Sequence, residues 1–108
     1  MGFLNQLGSM FTRAGREEAL LDEGMKHAKS KRPEKALEIY ESLLKTHSLG
    51  SSLRARVLFN RALVHSALKN DDQALEDLEE VVKLPDVPDN VLTAAKERLV
   101  RLNKRASS

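Results

Sequence analysis

Apolar residues recur along this chain at intervals of three and four, the period of a helix with one buried face. Ala19, Leu20, Gly24 and His27/Ala28 mark a first helix over residues 17–29, and Ser30 to Pro33 breaks it. Leu37, Tyr40, Leu43 and Leu44 share one face of a second, 34–46, with Pro33 well placed as an early residue. A polar loop, Ser48-Leu49-Gly50-Ser51-Ser52, precedes a third over 53–69, and Ser51 or Ser52 can cap it by accepting a free backbone N–H. Asn70-Asp71-Asp72 supplies turn and cap for a fourth, 73–84. Val91/Leu92, Ala95, Leu99 and Leu102 stripe a fifth, 90–104. Ahead of these, residues 1–15 carry Phe3, Leu4, Leu7, Met10, Phe11 and Ala14 at helical spacing. Gly2, Gly8 and Gly15 weaken that N-terminal helix in isolation, so it folds only against something. Residues 105–108 read as a tail.

The pattern repeats. Glu34-Lys35-Ala36-Leu37-Glu38-Ile39-Tyr40 is answered by Asp72-Gln73-Ala74-Leu75-Glu76-Asp77-Leu78, so that Ala36 and Ala74 lie one repeat apart. In each, Ala-Leu-Glu is followed by a large apolar residue four places after the alanine. A repeat of this length is the mark of stacked helical hairpins, which act mainly by offering a surface to partners. Short connections make consecutive helices antiparallel. Helices one and two form a first hairpin, three and four a second, and the fifth closes the stack.

Composition sharpens this to an all-α fold of one domain. Charged residues are 31% and aromatics 4%, without tryptophan, so the core rests on Leu, Val and Ala, and the commonest residues are good helix formers. The absence of cysteine removes disulfides, thiolate metal sites and cysteine nucleophiles, and fits a cytoplasmic location. No apolar run approaches the ~18 residues that span a bilayer. A net charge of +2 implies no whole-molecule field for nucleic acid. Six acids crowd residues 71–80, while Lys96, Arg98, Arg101, Lys104 and Arg105 stand against Glu97 alone. These blocks read as the solvated faces of two surface helices.

The repeat residues resemble the tetratricopeptide repeat, whose signature places Trp-x2-Leu-Gly-x2-Tyr in a first helix and Ala-x3-Phe in a second. The first repeat, about 16–49, supplies Leu20, Glu23, Gly24, His27, Ala36 and Tyr40; the second, about 53–86, supplies Leu58, Arg61, Ala62, His65, Ala74 and Leu78, with Pro85 near the expected proline. Neither repeat has the tryptophan, histidine twice replaces tyrosine, and the linker stretches the usual ~34-residue period. The resemblance implies a short right-handed α-solenoid whose small residues, Gly24, Ala36, Ala62 and Ala74, let the backbones of a hairpin approach closely. It also implies a concave groove lined by the first helix of each hairpin. The corresponding positions are Glu18, Leu21, Met25, Ala28 and Lys29, then Arg56, Phe59, Asn60, Leu63 and Ser66/Ala67. Leu21, Met25, Phe59 and Leu63 would form an apolar strip flanked by charge, with Asn60 able to hydrogen-bond a ligand backbone.

The function expected from these readings is a non-enzymatic adaptor that binds an apolar or amphipathic segment of a partner protein. Co-chaperone relatives clamp a C-terminal carboxylate, but the matching positions are Leu21 and Met25, which disfavours that ligand; only Asn60 corresponds. The alternative is a structural or self-associating subunit whose groove is filled by residues 1–15. That segment has four readings: docking in its own groove or on the first hairpin, swapping into a second copy to give a homodimer, attachment to a membrane surface, or a targeting sequence or tail. Nucleic acid, through Arg98, Arg101, Lys104 and Arg105, is the weakest partner. His27 and His65 occupy equivalent packing places, the acids of 71–80 spread around a helix, and no phosphate loop, nucleophile elbow or HExxH occurs, so neither a metal, a cofactor nor catalysis is expected.

Overall fold

The computed structural model describes residues 12–107. They form five helices and no strand: α1 (Arg13–Lys29), α2 (Pro33–Leu44), α3 (Ser51–Ala67), α4 (Asp71–Lys83) and α5 (Asp89–Ser107). α1 packs on α2 and α3 on α4 as hairpins; α3 also rests on α1 and α2, and α5 rests in the same way on α3 and α4. No helix among the described residues is long and apolar enough to cross a membrane. The residues expected to form an apolar N-terminal segment, Phe3, Leu4, Leu7, Met10 and Phe11, lie outside the described residues.

Two turns show how closely the repeat is obeyed. At the end of α1 the Arg32 N–H donates to the His27 carbonyl (2.9 Å) and Lys31 N–H to Ala28. At the end of α3, at the matching positions of the repeat, Asn70 N–H donates to His65 (2.8 Å) and Lys69 N–H to Ser66. This paired bonding satisfies carbonyls that a helix end leaves orphaned. It requires a left-handed residue, and Lys31 (φ 61°) and Lys69 (φ 65°) both adopt that conformation.

Inside the first hairpin, Gly24 faces the Tyr40 ring so closely that a Cβ would stand 2.5 Å from Tyr40 Cε1. In the second hairpin the same pair is Ala62 and Leu78, both buried. Tyrosine demands glycine opposite it, whereas the smaller leucine leaves room for a methyl group. Tyr40, Leu21, Ala36, Leu43 and Leu49 meet Val57 and Val64 of α3 in one core. Ala55, Leu58, Ala62, Ala74, Leu78, Val81, Ala95 and Leu102 make the other, and Leu44 packs against both. α3 is thus buried on opposite sides.

The register continues into α5. Leu49, Leu53, Val57 and Val64, which seat α3 on the first hairpin, are matched one repeat later by Val87, Val91, Ala95 and Leu102, which seat α5 on the second. α5 therefore takes the place of the first helix of a third hairpin, with no second helix against it among the described residues. Positions that α4 covers on α3, Ala55, Leu58, Ala62 and His65, become Thr93, Lys96, Val100 and Asn103, all exposed. Three of these four are polar, which suits a face left in water.

Four expectations are corrected. α1 starts at Arg13, ahead of the expected boundary, because the Thr12 hydroxyl accepts from the Gly15 N–H at 3.0 Å and caps it. α5 runs to Ser107, so residues 105–107 are helix; Arg105 is held there by Asp71 at 3.2 Å. Ser51 does not cap α3: Gly50 takes that place, and the Ser51 hydroxyl donates to the Pro85 carbonyl, tying the start of α3 to the loop before α5. Asp77 is no surface acid. It is buried, 4% exposed, and accepts two hydrogen bonds from Arg61 at 2.7 and 2.8 Å.

Candidate functional site: an apolar groove between α1 and α3

Between the C-terminal halves of α1 and α3 lies a groove of about 510 Å³. Its walls are Met25, Ala28 and Lys29 of α1 and Asn60, Leu63, Val64 and Ala67 of α3; Lys31, Pro33 and Leu68 form its end, and Tyr40 of α2 underlies it. The lining is overwhelmingly apolar, and Leu68 is 40% exposed. An exposed apolar recess of this kind, rimmed by lysines, is a surface that gains by being covered.

The backbone explains why the recess exists. Both helices end in the same left-handed turn, so Lys31 is held at the mouth of the groove by the hydrogen bonds of its own turn. Beneath it, Gly24 admits the Tyr40 ring. The Tyr40 hydroxyl is buried without a hydrogen-bond partner, and burial pushes its pKa up to about 12.

The expected groove residues divide into three sets. Met25, Lys29, Asn60 and Leu63 line the groove together, with Ala28 and Ala67. Glu18 and Arg56 pair with each other at 2.8 Å and border a separate recess of about 420 Å³ near the start of α1. Leu21 belongs to the interior, and Phe59 packs against the second core instead of the groove. Leu21 is 0% exposed, because α3 crosses it with Val57 and Val64, and so it cannot touch a ligand. Phe59, its repeat partner, is half-buried against the core that α5 completes. Asn60 has one amide N–H committed to the Arg56 carbonyl a turn back, at 2.8 Å.

Tyr40, Val64, Leu68, Lys31 and Pro33 were not among the expected lining. Leu68 was legible, since Val64, Ala67 and Leu68 follow the helical period on the side of Leu63. The sequence pattern marks Tyr40 as a repeat residue on the apolar face of α2, Lys31 as part of a helix break and Pro33 as an early residue of α2.

A second polar cluster lies within the α3–α4 hairpin. Beside the Arg61–Asp77 pair sits His65, 7% exposed, with a buried Nδ1 that finds no partner. Burial lowers the His65 pKa; Asp77 and Glu41 oppose that shift and Arg61 adds to it. The Arg61 pKa is raised, chiefly by its hydrogen bonds to Asp77. A bidentate pair this well buried orients two helices. It offers no vacant coordination set, and among the described residues no three His, Asp or Glu side chains converge to hold a metal ion.

No protein-family model, curated protein or solved structure matches the chain.

Proposed function

We propose that this chain is a small, non-enzymatic adaptor of the tetratricopeptide type, which holds an apolar or amphipathic segment of another protein in the groove between α1 and α3. The observation that carries the reading is the groove itself: an apolar recess walled by Met25, Ala28, Leu63 and Ala67, on helices anchored by the two cores. Binding would come from covering that surface, with the rim lysines setting register. Helices fixed at both turns present it preformed, which lowers the ordering cost of association. The internal repeat and the Gly24–Tyr40 contact support the family resemblance. A cytoplasmic setting belongs to the same reading and suits a cysteine-free chain.

Leu63→Asp is the decisive variant, because Leu63 lines the groove without belonging to either core. Its helicity by circular dichroism should match wild type, while a partner captured by wild type is lost. A correctly folded Leu63→Asp protein that retains that partner would overturn the reading.

A further inference from the structure

We infer that the segment held in the groove is acidic as well as amphipathic, its apolar side chains seated on Met25, Leu63 and Leu68 and its carboxylates on Lys29, Lys31, Arg98 and Arg101. This rests on the groove being a binding site. The charge argument comes from the repeat register. Asn60, Leu63 and Ala67 of the groove wall correspond, one repeat on, to Arg98, Arg101 and Arg105 of α5, and Ser66 to Lys104. α5 stands on α3 as α3 stands on α1. The concave face therefore runs from an apolar recess with Lys29 and Lys31 at its mouth onto a basic helix. Arg105 is paired with Asp71 and Arg56 with Glu18. Apart from those pairs, Lys29, Lys31, Arg98, Arg101 and Lys104 face only Asp22 and Glu97 at the matching register positions.

Charge complementarity also decides between occupants. The chain's own residues 1–11 contain no acid, so they match the apolar wall and leave the basic flank unanswered. The exposed face of α4, Asp72, Gln73, Glu76, Glu79, Glu80 and Lys83, is acidic and has no exposed apolar residue to enter the recess. Neither a cis segment nor the acidic helix of a second copy supplies both halves, which leaves a segment of a different protein. Acidic side chains along that segment, rather than its terminus, meet the cations, which are spread over α1, its closing turn and α5.

The test uses the full chain and three fluorescent peptides: an amphipathic leucine–glutamate helix, the same sequence with lysine for glutamate, and a scrambled leucine–glutamate control. The acidic amphipathic peptide should bind about tenfold tighter than the lysine one, and the double variants Lys29→Glu/Lys31→Glu and Arg98→Glu/Arg101→Glu should each remove most of that preference. Leu63→Asp should weaken it comparably, and amidation of the peptide C-terminus should change nothing. Equal binding of both charge types, abolished by Leu63→Asp, would sink the acidic inference and leave the groove reading standing. Equal binding of the scrambled peptide, or preference unaffected by the charge reversals, overturns docking in this groove. No binding by any peptide overturns both. Binding of a single-stranded oligonucleotide or of anionic vesicles that needs Arg98 and Arg101 but not Leu63 assigns the basic flank elsewhere.

Discussion

At the scale of single residues, most of the specificity of this fold sits in contacts that a change of one methyl group would spoil. Gly24 is in a helix interior, where alanine would ordinarily be preferred by about 1 kcal/mol. Here the added Cβ would strike the Tyr40 ring. We expect Gly24→Ala to lower stability by about 1–3 kcal/mol in denaturant unfolding, the ordinary cost of overpacking. Adding Tyr40→Leu, which reproduces the Ala62–Leu78 pair of the second hairpin, should recover part of that loss. The cycle would then show a coupling that independent sites lack. His65 gives a pH signature. Its folded pKa lies below the unfolded value of about 6.5, so the unfolded chain binds the proton more readily. Stability is full above that value and falls as the pH drops through it, by at most about 1.4 kcal/mol per unit. Unfolding followed between pH 7.5 and 5 should show this slope, and His65→Gln should flatten it. An unchanged slope would mean that His65 is not the source of the pH dependence.

Among the elements, α3 and α5 differ in a way their sequences state openly once the register is known. α3 is apolar on two sides because it has a hairpin beneath it and a partner beside it. α5, with Val87 just ahead of it, keeps the lower side through Val91, Ala95 and Leu102, and loses the lateral one. The two faces of α5 should therefore respond in opposite ways to substitution. Leu102→Ala, at a 3% exposed position, should cost about 2–4 kcal/mol. Val100→Lys, at a 65% exposed one, should stay within about 0.5 kcal/mol. Thermal melts of the two variants check both. A large loss at Val100 would mean that the lateral face is covered in solution. The elements also fix the groove: the left-handed turn at Lys31 stands at its end, and the Tyr40 ring packed on Gly24 lies beneath it.

For the molecule as a whole, the question is whether two stacked cores unfold as one. Leu44 touches both, α3 contributes to both, and the Arg54 guanidinium of α3 donates to the Leu44 and Thr46 carbonyls at 3.3 and 3.1 Å, tying α3 to the end of α2. Tyr40 is the one tyrosine and there is no tryptophan, so intrinsic fluorescence reports the first hairpin while circular dichroism reports every helix. The two probes should give coincident transitions, the mark of a single cooperative unit. Leu44→Ala should separate them, as nearest-neighbour coupling in a repeat stack weakens. Probes that already diverge in the wild type would refute coupling through Leu44.

The sequence determined the helices, their pairing and the region of the groove, because these follow from apolar period, loop length and the repeat. The internal repeat placed Ala36 and Ala74 in equivalent helices, and the family resemblance placed Ala62 in its hairpin and Met25, Asn60 and Leu63 along the groove. Only the tertiary structure decided which positions of the apolar strip stay open. Leu21 has the same period as Met25 and Leu63, and only the crossing of the next helix hides it. The same holds for Asp77, one of the acids crowded into α4, whose burial depends on Arg61 arriving from another helix. A helix's own sequence records which of its faces are apolar, and what lies against each face is settled by packing.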